Sequence, residues 1–460
     1  MTDPADLSLP EAAAMLRSRT LTSRALIEAT LARIATHNPR LHAFTHIATD
    51  ALEQADRADA LLATEDPGPL CGLPVAVKDL IDVAGQPATS GSRVLAGRIA
   101  ATDAPAIARL RAQGAVLIGK VATYEFAMVG PDQSLPDPCA RNPWNTAHIT
   151  GGSSSGSASA VAGGLVRLAI GTDTGGSIRS PAAYCGCVGL KPTYDRTSRA
   201  GAFPLSPSLD HTGPLAATVE EASLAIDVLT ENPENWRPAS ARIGQPVTGL
   251  KIAYARDWFE DDPQASESLV RAMDEAASTL SLLGAQITLV TLPDYAPYEA
   301  AASIILHAEA LEEHRSLIRD HASAYGRPTL QCLAFGAALD SEDVAKAREA
   351  QTRLTAEMLA AMEGHDLILT ATTLTPALPF SAFDGETAVW TPMRTIAFNL
   401  TGQPALSLPA GFENGLPLGL QLIGRHGDED LVCATGHAFE RATDHSVQRP
   451  HSEIVPVDKS

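Results

Sequence analysis

The sequence lacks several features that define other classes of protein. It is poor in basic residues, with 34 Lys and Arg against 54 Asp and Glu, and its formal net charge is −20. Because binding to a nucleic-acid backbone requires a basic surface, this balance argues against a nucleic-acid partner. No apolar run approaches the ~20 residues of a membrane span, and the N-terminus has neither the basic flank nor the apolar core of a secretory signal. We therefore expect a soluble, cytoplasmic protein with no membrane partner.

The six cysteines also lack an organised pattern. They are scattered along the chain, without the CxxC pairs typical of zinc sites and without the density of a disulfide framework. Cys185 and Cys187 are close neighbours, and we interpret them as small buried side chains rather than as a redox pair. The cysteines therefore predict reduced thiols, and we expect no metal and no cofactor.

What the sequence does contain is two clusters of glycine and serine, at 151–157 and 171–177, separated by an apolar run long enough for a helix and a strand. In the second cluster, GTDTGGS, two adjacent glycines allow positive φ and can turn several N–H groups toward one point, the geometry of an anion nest. Ser177 ends this cluster, and a serine hydroxyl beside convergent backbone donors is what acyl transfer requires. A glycine-rich turn with a capping serine would give the same pattern. Neither cluster has the ending of a P-loop, which disfavours phosphate binding.

The order of the motifs resembles the amidase signature family of serine hydrolases. GGSSSG, GTDTGGSIR and CGCVGLKPT follow one another between Gly151 and Thr193. The similarity extends to LPVAVKDL at 73–80 and to SLDHTGPLAATVE at 208–220, and a looser similarity runs from 366 to 425, so that about two thirds of the chain is covered. A match of this length is specific for the family, but it says little about the substrate.

Periodicity and resemblance together predict an α/β protein with a single large mixed β-sheet covered by helices on both faces. We expect a single domain spanning residues 1–460, with an N-terminal helical segment at 1–65. Two helical stretches, at about 298–321 and 343–362, predict a helical insert at 298–363. Such an insert would either cover the substrate or form a packing layer.

The resemblance implies a catalytic triad. Ser177 would be the nucleophile that forms an acyl-enzyme, Ser153 the proton relay, and Lys78 the base, with a cis peptide bond between Gly152 and Ser153. A lone lysine after a buried run is usually solvated, so this role for Lys78 rests on the resemblance. Lys78 must be neutral to accept a proton, whereas an ordinary lysine has a pKa near ~10.4. The site must therefore desolvate it or surround it with donors, and we expect an alkaline optimum.

The resemblance also implies the groups around the triad. The oxyanion hole would consist of the backbone N–H groups of Thr174, Gly175, Gly176 and Ser177. The residues expected to support this loop through hydrogen bonds are Ser154, Asp173 and Arg179. Ser155 departs from the commonest family form, which has glycine there, but it leaves both serines of the triad in register.

Other residues have more open roles. Phe126, Met128 and Val129 match positions beside the acyl pocket and are candidate substrate contacts. His211 is the nearest candidate for a Ser/His/Asp triad, but no GxSxG elbow surrounds Ser177, and we interpret this histidine as a structural hydrogen-bonding residue. Arg394 is a candidate for holding the carboxylate of glutamine, although a salt bridge or a surface position would also explain it.

These observations predict an enzyme, an amidase that cleaves the C–N bond of an uncharged, partly hydrophobic amide, carbamate or ureide. One alternative is the glutaminase subunit of an amidotransferase, which would work with partner chains and would need a basic residue for its substrate. A further alternative is a catalytically silent binding scaffold, which the presence of Lys78, Ser153 and Ser177 disfavours. The expected partner is a small-molecule amide or carbamate, and a homodimer remains open.

Overall fold

The computed structural model of the protein describes residues 3–64, 67–135 and 138–450. Within these residues one mixed sheet of eleven strands runs through the molecule, in the order β1-β3-β2-β4-β6-β5-β10-β11-β9-β7-β8, and this confirms the predicted α/β fold. The strands are β1 (Phe44–Ile47), β2 (Pro74–Lys78), β3 (Val116–Val121), β4 (Leu168–Asp173), β5 (Val188–Lys191), β6 (His211–Ala216), β7 (Lys251–Tyr254), β8 (Gln286–Leu289), β9 (Leu367–Ala371), β10 (Ala405–Glu413) and β11 (Leu416–Ile423).

The central strands are buried on both faces. All five residues of β2 are buried, and their side chains alternate between two hydrophobic cores. Val75 and Val77 belong to one core, while Ala76 belongs to another on the opposite side of the sheet. A continuous apolar run of this kind is typical of a strand in a sheet that is covered by helices on both faces.

Helices cover the sheet. In the described ranges the α-helices are α1 (Leu9–Arg17), α2 (Ser23–Leu41), α3 (Ala51–Thr64), α4 (Pro105–Ala112), α5 (Ser155–Ala162), α6 (Arg179–Cys185), α7 (Val219–Leu229), α8 (Glu267–Leu282), α9 (Tyr295–His321), α10 (Arg327–Ala338), α11 (Ser341–Ala361), α12 (Ala397–Leu400) and α13 (Glu429–Ala442). The predicted N-terminal helical segment contains α1 to α3, together with the edge strand β1, which pairs antiparallel with β3. None of the helices in these ranges combines the length and the apolar character that crossing a membrane requires.

The predicted helical insert contains three helices instead of two. The sequence pattern gives α9 and α11 but misses α10, because Gly326 and Pro328 suggest a loop between them. In the structure Pro328 lies in the first turn of α10, where its missing N–H costs no hydrogen bond. Both α10 and α11 pack against α9, and Leu306 of α9 lines the pocket described below.

Two parallel strands bring the predicted catalytic residues to one edge of the sheet. β2 and β4 are parallel neighbours, with Val77 opposite Ile170. Since the carboxyl ends of parallel strands meet at the same edge, Lys78 at the end of β2 lies beside the last residues of β4. The first glycine and serine cluster runs into the start of α5, and the second runs from the end of β4 to the residues before α6.

Candidate active site

A buried lysine and a serine form the centre of the site. Lys78 Nζ lies 2.7 Å from Ser153 Oγ and 2.7 Å from Thr172 Oγ1. The Lys78 side chain is fully buried, and Ser153 is almost fully buried. The sequence pattern does not single out Thr172, although this residue lies within the GTDTGGS motif, because its contact with Lys78 depends on the pairing of β2 with β4.

Burial changes the protonation of Lys78. It lowers the pKa of the amine to about 7, and the carboxylates of Asp173 and Asp210 oppose this shift because they favour the charged form. A substantial fraction of Lys78 is therefore neutral at physiological pH and can accept a proton, as the prediction of a desolvated lysine requires.

The loop that carries Ser153 has a specific shape. The peptide bond between Gly152 and Ser153 is cis, as predicted. Tyr124, which the sequence pattern does not single out, packs against this loop: its N–H donates to the carbonyl oxygen of Ser153 at 3.1 Å. A Cβ at position 152 would come within 2.2 Å of the Tyr124 ring, so the close packing requires glycine there.

Ser154 and Ser155 secure the start of α5. Ser154 Oγ donates to the carbonyl oxygen of Thr172 at 3.1 Å, and its N–H donates to the carbonyl oxygen of Ser177 at 3.2 Å. Ser155 Oγ donates to the carbonyl oxygen of Ala122 at 3.3 Å. Serine in place of the usual glycine at 155 therefore adds a hydrogen bond and leaves the neighbouring serines in place.

Ser177 lies in the wall of a pocket that we call the reactive pocket. Its lining combines glycine-rich backbone with apolar side chains: Tyr124, Ala127, Met128, Val129, Gly130, Gly151, Gly152, Gly175, Gly176, Ser177, Leu205, Leu306, Val389, Trp390, Thr391 and Met393. The Ser177 side chain is partly exposed to this pocket, and its hydroxyl makes no hydrogen bond to another residue in the described part of the chain. A ligand in the pocket can therefore reach it.

The loop before Ser177 differs from the prediction at Gly176. Its N–H is not free for an oxyanion, because it donates to Asp173 Oδ1 at 2.8 Å. The N–H groups of Thr174, Gly175 and Ser177 donate to no other group within the described ranges, and they remain candidates for the oxyanion hole. Gly176 instead gives the loop its shape: its φ is +132°, and a Cβ there would come within 2.2 Å of Thr395 Oγ1.

Asp173 and Arg179 form the buried ion pair that holds this loop. Arg179 Nη2 lies 2.9 Å from Asp173 Oδ1, and neither side chain is exposed. Burial alone would raise the pKa of Asp173, but the Arg179 guanidinium and the hydrogen bond from Asn399 outweigh it and hold this pKa below its usual range. Asp173 also accepts from the N–H groups of Gly176 and Ile178, at 2.8 and 3.1 Å. The pair thus joins Arg179 to the backbone of the loop around Ser177.

Replacing Arg179 by leucine should strongly destabilise the fold. The change leaves the Asp173 carboxylate buried without its cation, and breaking a buried pair in this way typically costs about 3–5 kcal/mol. The free energy of unfolding, measured by urea denaturation, should fall by this amount. The matched control is Arg353→Leu, which breaks an exposed pair with Glu357 and should cost less than about 1 kcal/mol. Equal effects of the two changes would contradict the supporting role of Arg179.

Asp210 is a further residue that the sequence pattern does not indicate. Thr174 Oγ1 donates to Asp210 Oδ1 at 2.5 Å, and the N–H of Leu205, in the pocket wall, donates to Asp210 Oδ2 at 3.0 Å. Burial raises the pKa of Asp210 to about 6, against these hydrogen bonds, which favour the ionised form. Asp210 therefore joins the loop before Ser177 to the opposite wall of the reactive pocket.

The three predicted substrate contacts do not share one environment. Met128 and Val129 line the reactive pocket. Phe126 does not: its side chain is fully buried, and its ring packs against Phe203 at 4.8 Å and His314 at 4.5 Å. The physical reason is the backbone at this point, where φ is +50° at Phe126 and +60° at Ala127, so that the chain turns and directs Phe126 into the core.

The two residues with open roles, His211 and Arg394, have structural partners. His211 Nδ1 lies 2.7 Å from the carbonyl oxygen of Leu209, and burial holds the pKa of the ring well below its usual range. Arg394 forms an ion pair with Asp262 and donates from Nε to the carbonyl oxygen of Trp258 at 2.6 Å. Neither lines the reactive pocket. No group of three or more His, Cys, Asp or Glu side chains in the described ranges is arranged to hold a metal ion.

Comparison with known proteins identifies relatives of the whole chain. The family model described as Amidase matches residues 25–433. A glutamyl-tRNA(Gln) amidotransferase subunit from Roseiflexus sp. (strain RS-1) is 37% identical, and the alignment covers 98% of this chain and 99% of that protein.

Solved structures show the same similarity. The native peptide amidase from Stenotrophomonas maltophilia has a TM-score of 0.85 at 28% identity, with 98% of this chain and 99% of that chain covered. The corresponding glutamyl-tRNA(Gln) amidotransferase subunit from Thermotoga maritima has a TM-score of 0.81 at 30% identity, with 96% of each chain covered.

Together with a buried lysine and serine pair beside a glycine-lined pocket, these matches define the protein as an amide hydrolase. The chain belongs to the amidase signature family.

Proposed function

We propose that the protein hydrolyses the C–N bond of an uncharged, partly hydrophobic linear amide through an acyl-enzyme on Ser177. The observation that carries this proposal is the 2.7 Å contact between Lys78 Nζ and Ser153 Oγ, buried beside the pocket that Ser177 lines. A lysine whose pKa is about 7 and a serine relay form a base that can activate a second serine hydroxyl.

The proposed reaction uses these groups in turn. Ser177 Oγ attacks the amide carbon while its proton passes to Ser153, whose own proton passes to neutral Lys78. The carbonyl oxygen becomes an oxyanion, for which the backbone N–H groups of Thr174, Gly175 and Ser177 are the candidate donors. Lys78 then returns a proton through Ser153 to the leaving nitrogen, the C–N bond breaks, and water hydrolyses the acyl-enzyme by the same relay.

The lining of the reactive pocket supports the choice of an uncharged substrate. Its side chains are mostly apolar, among them Met128, Val129, Leu205 and Leu306, and no Lys or Arg from the described part of the chain belongs to the lining. A carboxylate in such a pocket would be desolvated without a partner, which is costly. A carbamate or ureide presents the same carbonyl without a charge, and it fits the same proposal.

The second candidate is a glutaminase subunit of an amidotransferase, and the sequence comparisons favour it. The amidotransferase subunit from Roseiflexus is 37% identical over nearly the whole of both chains, a higher identity than that of the peptide amidase. Such a protein would act with partner chains. However, it would need a cation for the carboxylate of glutamine, and the candidate from sequence, Arg394, is paired with Asp262 outside the reactive pocket.

A product screen distinguishes the two candidates. Purified protein is incubated with an aliphatic primary amide, an anilide, an aryl carbamate and glutamine, and the released ammonia or amine is quantified by mass spectrometry. We expect kcat/KM for the best uncharged compound to exceed that for glutamine by at least about 100-fold, because a site without a carboxylate partner rejects the charged substrate. Each assay is repeated with the Ser177→Ala protein, and the hydrolysis measured with this variant is subtracted as background.

Two other outcomes would overturn this proposal. Release of ammonia from glutamine alone would establish the glutaminase candidate and direct the search toward partner chains. Absence of turnover for every compound, with binding retained by the wild-type protein, would favour the silent scaffold.

A further inference from the structure

A second pocket adjoins the reactive pocket, and we call it the outer pocket. Its own lining consists of Tyr295, Glu299, Ser303, His307 and Ile396. It shares part of its wall with the reactive pocket, including Leu306, Trp390 and Met393. Because the same side chains face both spaces, the outer pocket lies next to the space in which a substrate carbonyl would meet Ser177.

His307 and Trp390 line this second space, and Phe335 packs against His307 outside its lining. The His307 ring lies edge-to-face with Phe335 at 4.8 Å and with Trp390 at 6.0 Å. Phe335 is 47% exposed and Trp390 is 49% exposed, which makes them two of the few large apolar side chains at the surface of the described chain. We call these three rings the aromatic rim. Exposed aromatic side chains clustered beside an active site are typical of a ligand-binding surface.

The charges around the outer pocket disfavour an anion. Glu299 places a carboxylate in the lining, and among the described residues no Lys or Arg lines the pocket. The Arg394 guanidinium stacks on the Tyr295 ring at 4.7 Å, but it is ion-paired with Asp262.

His307 is a neutral group in this wall. Its Nδ1 lies 2.7 Å from the carbonyl oxygen of Ser303, which places the proton on Nδ1. Burial lowers the pKa of the ring, although this hydrogen bond opposes the shift, and the ring is therefore uncharged at neutral pH.

We propose that the outer pocket binds an aromatic group without negative charge at the far end of the substrate. The inference rests on the proposed amide hydrolysis and gives its substrate a class: arylalkyl amides in which a short chain separates the reacting carbonyl from the ring. The aromatic rim supplies stacking surface for the ring, and Glu299 repels compounds whose distal end carries a carboxylate.

The test uses matched primary amides that differ only at the distal end. These are butanamide, 4-phenylbutanamide, 4-cyclohexylbutanamide and 4-(4-carboxyphenyl)butanamide. We expect kcat/KM for the phenyl compound to exceed that for butanamide by about 10-fold or more, mainly through a lower KM, with the cyclohexyl compound between them. The carboxylated compound should be hydrolysed more slowly than the phenyl compound.

Variants connect this selectivity to the outer pocket. Trp390→Ala should lower the ratio of kcat/KM for the phenyl compound over butanamide by about 3–10-fold, because Trp390 lines the outer pocket and supplies part of the stacking surface. The matched control, Leu289→Ala, removes an exposed apolar side chain that lines neither pocket and should leave this ratio unchanged. Glu299→Gln should raise the ratio of kcat/KM for the carboxylated compound over that for the phenyl compound by about 5-fold.

The outcomes separate this inference from the proposed function. Hydrolysis of all four compounds with equal kcat/KM would overturn the aromatic subsite and leave the amide hydrolase intact, as would a ratio that Trp390→Ala does not change. Calorimetric titration of Ser177→Ala protein with butanamide and 4-phenylbutanamide tests the subsite without chemistry. Tighter binding of the phenyl compound would support it even if the proposed turnover failed, and equal binding would refute it.

Discussion

Replacing Ser177 by alanine should abolish amide hydrolysis, with a fall in kcat of at least about 10⁴-fold. The change removes the only side-chain oxygen of the GTDTGGS cluster that lies in the wall of the reactive pocket, so the carbonyl carbon loses its nucleophile. The backbone donors and the pocket remain, so substrate binding should survive. The measurement is ammonia release from the best amide of the product screen, at saturating substrate.

Ser155→Ala is the matched control for this prediction. Ser155 belongs to the first serine cluster, but its hydroxyl donates to the carbonyl oxygen of Ala122 and does not line the reactive pocket. Its loss should change kcat by less than about 5-fold, since a single hydrogen bond contributes about 1 kcal/mol. If Ser177→Ala retained most of the activity, or if both variants lost it equally, the assignment of Ser177 as nucleophile would be wrong.

The pH dependence of kcat/KM should follow the ionisation of Lys78. The protonated amine has no lone pair, so only the neutral form accepts a proton. Because burial lowers the pKa of Lys78 to about 7, activity should fall about 10-fold per pH unit below pH 7 and reach a plateau above about pH 8. The sequence alone predicts an alkaline optimum, and the burial of Lys78 places the start of the plateau closer to neutrality.

Lys78→Met tests whether Lys78 causes the fall in activity below pH 7, which we call the acid limb. The variant should lose about 10³–10⁴-fold in kcat/KM, and its residual activity should no longer change near pH 7. Lys346→Met provides a control, because Lys346 is an exposed lysine of α11 that pairs with Glu342, so its loss leaves no buried charge. This control should retain the acid limb. A limb that persisted in Lys78→Met would show that another group controls the pH dependence.

The sequence predicts the sheet and the local motifs of the site well, because these depend on short patterns. The buried run that ends at Lys78 predicts β2, and the glycines before Ser177 predict a turn with unusual backbone geometry. By contrast, β5 lies within the stretch from Gly151 to Thr193 and β6 lies within 208–220, and their short sequences give little periodicity. Their positions become clear only from their pairing with each other and with β4.

Contacts between distant residues are the part that the sequence does not reveal. Asn399 donates to Asp173 Oδ1 at 2.8 Å across 226 positions, and Asp210 joins Thr174 to Leu205. Such contacts depend on the order of strands in the sheet, which no local pattern encodes. The same limit explains why the predicted oxyanion hole included the N–H of Gly176. Nothing in the motif shows that the Asp173 carboxylate accepts this N–H in the folded chain.

The direction of a side chain in an irregular segment is equally hard to predict. Phe126, Met128 and Val129 are close in sequence, yet the two positive φ values at Phe126 and Ala127 separate Phe126 from the other two. Neither phenylalanine nor alanine favours a positive φ, so the sequence gives no sign of this turn. In the same way, the pairing of Arg394 with Asp262 depends on packing across 132 positions.

The most direct test of the account is to find the residue that carries the acyl group. Protein mixed with 4-nitrophenyl butanoate is quenched in acid during turnover, and the intact mass and proteolytic peptides are measured. The account predicts a mass increase of one butanoyl group on the peptide that contains Ser177, and no increase in Ser177→Ala. A butanoyl group on another residue, or full turnover by Ser177→Ala, would contradict it.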